Sequence, residues 1–363
     1  MEKNSKFKKD LCQDKRILNT KGGGQNKILT FRYFFIENIL LFGFIIMLLV
    51  AGFTLENFFS VGNIKNILFH MSVTGILSIG MIYVMLFGEI DLSVGYLMVF
   101  VFFLSIKLQI WFGNLMGIKI LSQGTQIFIG SQLLLGIIGV VLATIFGLIN
   151  GVVIVYGKVK SFIMTLGMMS IFNGLSFIMS KGKSIFLTKS PEYSKLGVLS
   201  FGIFPLMSVV LIILVVVSAV LFKFHITGKR IYAIGANRAV AELAGINIKP
   251  WIIGAFVVSG FCAGLAGLFF SSRNSVVDPT QGDIYAITAI AIAVLGGTTI
   301  EGGEGNPFKV LVAALFLGTL LNILIIKGVS GAIQTIIVGI TILIGFMLNK
   351  IVKVRREFSE LEQ

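Results

Sequence analysis

The stretch Phe87-Gly-Glu-Ile-Asp-Leu-Ser-Val-Gly95 decides how this chain is folded. Glu89 and Asp91 are the only fully charged side chains between Lys65 and Lys107. An α-helix rises about 1.5 Å per residue, so a ~30 Å hydrocarbon core takes about 20 residues. The apolar segment from Asn66 to Ile106 is too long for one crossing and fits two, with the carboxylates where the first ends and the second begins. A charge at the bilayer centre costs about 2.5–3.5 kcal/mol on insertion scales. Placing Glu89 and Asp91 in a turn at the membrane edge, or facing a wet cavity, avoids that cost. Asp91 followed by Leu-Ser-Val-Gly also reads as an N-cap whose carboxylate accepts the N–H groups of Ser93 and Val94. Its charge then lies at the positive end of the helix dipole. A charge-dependent part in gating is compatible with that structural role.

The same pattern repeats outward. Of 363 residues, 56% are hydrophobic and only 13% charged, against roughly a quarter charged in a soluble domain. Apolar runs long enough to span recur along the chain, without the ~10-residue alternation of an outer-membrane barrel. The expected fold is an all-α polytopic membrane protein of about ten transmembrane helices, near 33–55, 66–87, 92–112, 127–156, 161–180, 206–224, 251–271, 284–300, 308–326 and 332–350. Residues 1–32 read as a basic tail with no cleavable signal peptide, 33–350 as the membrane domain and 351–363 as a second tail.

Orientation follows from Lys and Arg. Residues 1–32 hold nine of them, which places the N-terminus in the cytoplasm. Ten spans return the C-terminus, with Lys350, Lys353, Arg355 and Arg356, to the same side. The loop 225–250, with Lys229, Arg230, Arg238 and Lys249, and the link at Lys158 and Lys160 also fall inside. The loop 181–205 falls outside despite Lys181, Lys183, Lys189 and Lys195. The net charge of +14 lies beside the spans, which points to membrane lipid headgroups rather than nucleic acid.

Little here suggests chemistry. Cys12 and Cys262 give no disulfide framework, and Cys262 reads as a buried small hydrophobe. His70 and His225 stand apart with no ligand-spaced partner, so no metal site is expected. Lys181-Gly-Lys-Ser184 ends like a phosphate-binding loop, but Phe177 occupies the position of its first glycine. No catalytic set is visible, and any ATP hydrolysis belongs on another chain. Gly147–Gly151 and Gly260–Gly264 have the spacing that lets helices approach closely.

Two further stretches stand out. Leu295 to Pro307, L-G-G-T-T-I-E-G-G-E-G-N-P, reads as a compact connection built on Gly296, Gly297, Thr298, Gly302, Gly303 and Gly305. A phosphate cradle is the other reading of its glycines. Thr227 to Pro250 is the longest internal polar loop. Within it, Asn237 to Gly245 reads as a short helix with Asn237 as N-cap and Gly245 as the C′ stop. Ala239, Val240, Leu243 and Ala244 form its apolar face, which fits either the membrane surface or a groove in a partner protein. Ala241 and Gly245 are expected to sit with little bulk against that partner, and Arg238 to form only an exposed ion pair of small effect.

Thr227–Ile248 resembles the cytoplasmic coupling loop of ribose-type ABC importer permeases. Gly88–Gly95, G-E-I-D-L-S-V-G, is similar to that family's G-x-D-L-S-V-G signature. Val159–Gly174 resembles its fifth span, and Leu295–Gly305 its L-G-G-T-x-x-G-G-x-G loop. The likeness runs from about Phe58 to Lys350. It implies a permease half that pairs with a second copy or paralogue, two ABC ATPase subunits that carry ATP and Mg, and an extracytoplasmic solute-binding protein. It also implies transport of a pentose, hexose or small polyol across the bacterial inner membrane. On the matching positions it implies an ATPase-coupling loop at Thr227, Gly228, Arg230, Tyr232, Ala233, Gly235, Asn237, Ala241, Glu242 and Gly245, and a translocation turn at Glu89, Asp91, Ser93 and Gly95. The family's acidic E-L-D-A-I pattern is replaced here by Ala286-Ile-Thr-Ala-Ile290, and Glu89 is itself unusual. A nucleoside or other small polar solute is the alternative cargo. An ion-coupled secondary transporter or a membrane scaffold are the alternatives of another class.

Overall fold

The computed structural model describes residues 38–115, 122–123, 126–127, 132–186 and 191–360. The tail 1–32 with Cys12, the first residues of span one and Lys189 lie outside the described residues. In chain order the helices are α1 (Ile39–Thr54), α2 (Val61–Met85), α3 (Val94–Leu115), α4 (Gln132–Gly157), α5 (Ser161–Ser180), α6 (Pro191–Val198), α7 (Leu206–Phe224), α8 (Ile226–Ala236), α9 (Arg238–Leu243), α10 (Lys249–Asn274), α11 (Gly282–Leu295), α12 (Pro307–Ile326) and α13 (Gly331–Glu360).

All but α6, α8 and α9 coincide with an expected apolar span. Among the described residues, α2, α4, α5, α7, α10 and α12 are long and apolar enough to cross a membrane, and the apolar stretches of α1, α3, α11 and α13 are shorter. The chain is therefore an all-α polytopic membrane protein. Three features depart from the sequence reading, the first being that α13 runs on to Glu360, past the expected end of its span at 350 and into the expected tail. The span expected over 284–300 stops at Leu295, because Gly297 takes φ +81° and turns the chain out of the helix. The single short helix expected in the 225–250 loop is two, since α8 precedes α9.

Helix α2 is the centre of the bundle. It packs on α10, α12, α11 and α7, and 89% of its most apolar window is buried, against 17% for α5. A helix apolar all round belongs in such a position. Beside it, α4 and α10 cross at the small-residue spacings seen in the sequence. A Cβ on Gly260 would sit 3.0 Å from the Cα of Gly147, and one on Gly151 would sit 2.9 Å from the Cα of Ile253. Gly260→Leu is expected to force α4 and α10 apart at a cost of about 1–3 kcal/mol. The check is the unfolding midpoint of the purified protein in detergent, which an unchanged value would contradict.

Where α3, α5 and α10 finish, two-residue strands tie the loops together in the order β1 (Ser122–Gln123), β2 (Gln126–Ile127), β3 (Ile185–Phe186), β6 (Val276–Val277). A separate antiparallel pair, β4 (Ser200–Phe201) and β5 (Phe204–Pro205), leads into α7. The opposite end of the bundle carries the candidate site.

Candidate functional site

The turn between α2 and α3 gathers all four segments singled out in the sequence. Met85 ends α2, and Gly88 at φ +68° reverses the chain. The carbonyl of Leu86 then accepts the N–H of Gly303 at 2.9 Å, which joins the Gly-rich loop to the turn. Arg238, the first residue of α9, donates to the carbonyl of Phe87 and to Oε1 of Glu89, the latter at 2.6 Å. The N–H of Ile90 donates to Ser161 Oγ at 3.2 Å, and Thr165 Oγ1 donates to the carbonyl of Ile90 at 3.2 Å. Those two residues lie on α5, in the segment that resembles the family's fifth span.

Glycines make this approach feasible. A Cβ on Gly235 would strike the carbonyl oxygen of Leu86 and stand 2.6 Å from the nitrogen of Gly303. One on Gly88 would stand 2.7 Å from the carbonyl oxygen of Glu301, and Gly302 and Gly303 hold φ +98° and +80°. The 295–307 stretch is thus a compact connection whose backbone bonds are used internally and by the turn. Thr299 N–H donates to the Glu304 carbonyl at 3.1 Å, and Thr298 N–H to the Ala293 carbonyl at 3.0 Å. Gly296 meets the backbone of Val310 and Gly305 meets Ile82.

Asp91 lies in the turn before α3, as the sequence reading placed it, but its side chain is 0% exposed where a wet surface was expected. Oδ1 accepts from Ser93 N–H at 3.0 Å and Ser93 Oγ at 2.6 Å, and Oδ2 accepts from Ser259 Oγ at 2.8 Å. Val94 is not a partner. Ser93 is the residue whose carbonyl takes the first helical bond, from Leu97 N–H, so Asp91 lies outside the cap and forms an Asx turn onto it. Asn150 of α4 donates to Ser93 Oγ at 3.0 Å. The carboxylate therefore pins α3, α4 and α10 together. Asp91→Asn presents an amide N–H₂ to hydroxyl and N–H donors, and hydrogen bonds to a charged group are worth about 1.5–3 kcal/mol. Loss of that order in urea or thermal unfolding is expected; a wild-type midpoint for Asp91→Asn would refute the network.

Gly95, the second residue of α3, crosses α11, where a Cβ would stand 3.0 Å from the nitrogen of Ala286. Ala286 and Thr288 are buried, and Thr288 Oγ1 donates to the Ile284 carbonyl of its own helix at 2.6 Å. The positions that carry acids in the family's pattern are sealed and electrically neutral here.

The coupling-loop residues divide between anchoring and display. His225 caps α8 by accepting from Thr227 N–H at 3.2 Å and pairs with Thr227 Oγ1 at 2.6 Å. Gly228 packs on the backbone of Phe222. Ile231 and Ile234 are buried, and Tyr232 donates to the Gly305 carbonyl at 2.7 Å. Burial pushes the Tyr232 phenol pKa up, so it stays protonated at neutral pH. Its ring meets Phe222 at 5.9 Å, and Phe222 meets Tyr83 of α2 at 4.9 Å. Arg230 stands 5.8 Å over the Trp251 ring, and Ala233 is exposed. Asn237 caps α9 through Val240 N–H at 3.2 Å, and Gly245 follows at φ +80°.

Ala241 departs from expectation. It is buried against this chain, not presented to a partner. The displayed face is Val240, Glu242, Leu243 and Ala244, with Leu243 88% exposed. Gly245 has open space around it, so only its φ restricts substitution. Arg238 is exposed and ion-paired, as expected, and its partner is Glu89, which keeps only 13% of its side-chain surface exposed. The pairing was invisible in sequence, although a lone acid in an apolar turn and a basic loop expected on the same side were the signal for it. No group of three metal-ligating side chains occurs among the described residues.

A family model described as branched-chain amino acid transport system, permease component, matches residues 63–345. The chain is 32% identical over 319 residues to the ribose import permease protein RbsC of Haemophilus influenzae, covering 87% of this chain and 94% of that one. It is 31% identical over 317 residues to the RbsC of Bacillus subtilis, covering 85% and 91%. It is 30% identical over 312 residues to the D-allose transport system permease protein AlsC of Escherichia coli, covering 85% and 90%. No solved structure matches. The matched region contains the turn, α5, α8–α9 and the Gly-rich loop, and the chain belongs to the family of branched-chain amino acid transport system permease components.

Proposed function

We propose that this chain is the membrane-embedded permease subunit of an ABC importer that carries a monosaccharide into a bacterial cell. The observation that carries the proposal is the convergence at residues 86–91. Helix α9 is tied by Arg238 to the turn that ends α2, while Val240 and Leu243 face outward. A protein that docks on α9 therefore pulls on the helix at the centre of the bundle. Two ATPase subunits would supply that motion, with ATP and Mg held on them, one against each half of a permease pair. A binding protein would deliver solute to the opposite end. Switching between outward and inward access is then a population shift set by different contacts in the two states. In this reading the ten apolar helices all span, and both termini and α8–α9 lie in the cytoplasm.

The test is uptake by cells lacking their own sugar permeases and carrying this chain with its ATPase and binding protein. Ribose and D-allose, which the relatives' names mention, are the first solutes. Uptake that needs the ATPase is expected; uptake without it would favour an ion-coupled carrier. For topology, Asn237→Cys on a background lacking Cys12 and Cys262 should resist an impermeant thiol reagent in intact cells. Labelling from outside would overturn the orientation.

A further inference from the structure

Against the 86–91 turn lies a cavity of about 540 Å³ whose lysines have no part in the transport reading. Its walls come from residues 88–90 of the turn, the end of α4, the α4–α5 link, the start of α5, α9 and the start of α10. Lys158, Lys160, Arg238 and Lys249 line it, facing Glu89 and Glu242. Arg238 is satisfied by Glu89. Among the described residues no carboxylate pairs with Lys158, Lys160 or Lys249; Lys249 stands 5.5 Å over the Tyr156 ring instead. Two long helices also begin here: at Ser161 the N-cap side chain of α5, Lys160, does not cap its helix, while at α10 Asn247 Oδ1 accepts the Lys249 N–H at 3.2 Å and Pro250 has no N–H to offer. Their dipoles add positive potential to the same space. The other walls are Ile154, Val155, Ile248 and Ile252. Tyr156 is 65% and Phe162 52% exposed beside the link. Aromatic side chains of this kind sit at the level of lipid headgroups, which is where a short link between two membrane helices must lie.

We propose that this cavity binds a phosphate group, and that its source is the headgroup of an acidic phospholipid. The lysines and the start of α5 take the phosphate, and the aliphatic walls take the first carbons of the lipid. A free phosphate would use only the basic half.

The purified full-length protein, in a neutral detergent with added phosphatidylglycerol or phosphatidylcholine, is examined by native mass spectrometry. Wild type is expected to retain phosphatidylglycerol at least tenfold better than phosphatidylcholine. Lys158→Gln with Lys160→Gln should lose most of that preference, while Lys223→Gln with Lys229→Gln, an equal loss of charge on the same side, should keep it. Millimolar inorganic phosphate should not displace the lipid. If phosphate does displace it, and stabilises wild type but not the Lys158/Lys160 variant, the phosphate site stands and its lipid source falls. If both double variants retain the lipid like wild type, the proposal is overturned. It is overturned too if the Lys158/Lys160 variant keeps the lipid but loses its ATPase subunit, since the lysines then serve a protein. Thermal unfolding of each variant separates these outcomes from misfolding.

Discussion

Leu243→Asp combined with Val240→Asp is expected to strip the ATPase subunit from the purified permease while every membrane helix stays inserted. Leu243 is 88% and Val240 60% exposed on a helix that sits outside the apolar spans. Neither contributes to this chain's own core, so neither should affect its folding. Fully burying such a side chain is worth about 1.5–3 kcal/mol, so two of them contribute about 3–6 kcal/mol to docking. That is a factor of roughly 10²–10⁴ in assembly, and an aspartate in an apolar groove adds a desolvation cost. Co-purification of tagged ATPase reads the effect. Wild-type recovery with both aspartates in place would remove α9 as the docking element. Ala241→Trp is a poor substitute for this experiment, because Ala241 is buried inside the permease and a large ring there distorts α9 itself.

Gly235→Ala is expected to abolish solute-stimulated ATP turnover in reconstituted vesicles while leaving the ATPase bound. The added methyl would meet the Leu86 carbonyl oxygen, the Gly303 nitrogen at 2.6 Å and the Gly303 Cα at 2.9 Å. All three are backbone atoms, so no side chain can rotate away. Ordinary overpacking costs about 1–3 kcal/mol where neighbours can adjust, and these can adjust little. Relief comes by lifting α8 from the turn, which breaks the route from α9 to α2 without touching the outer face of α9. Gly254→Ala, with nothing within 4 Å of its Cβ, is the control and should turn over normally. Normal turnover in Gly235→Ala would show that the contact is not part of the route.

Apolar composition and length made the ten apolar helices legible, because among the described residues six of the runs are long enough to span and the shorter four are still bounded by Gly, Pro or polar residues. The site was legible as four motifs but not as one place. Asp91 finds Ser259 on α10 and Glu89 finds Arg238 on α9, and nothing along the chain relates residues so far apart. The inward turn of Ala241 was hidden for another reason. A helix of six residues is too short for its apolar spacing to define an inner face, and the outer face proved the more apolar one. Helix α8 was missed because Thr-Gly-Lys-Arg reads as loop; Ile231 and Ile234, three apart and both buried, were the weaker signal that it is a helix.

The central place of α2 has a consequence for biosynthesis. It leaves the ribosome early, yet three of its neighbours, α10, α11 and α12, are made late. Until they arrive, a helix built to touch protein must wait among lipid tails. Three of its hydroxyl groups are arranged for that wait: Ser72 donates to the Leu68 carbonyl, Thr74 to the His70 carbonyl and Ser78 to the Thr74 carbonyl, all within α2 itself. A polar group satisfied by its own helix brings no unmet demand into the bilayer. Those three come satisfied, and what the later helices add is packing together with a few polar contacts: Ser218 of α7 to Tyr83, Arg273 of α10 to Asn66 and Asn322 of α12 to Asn63. A chain terminated before α10 would insert α2 normally and then linger as an unassembled, protease-sensitive species.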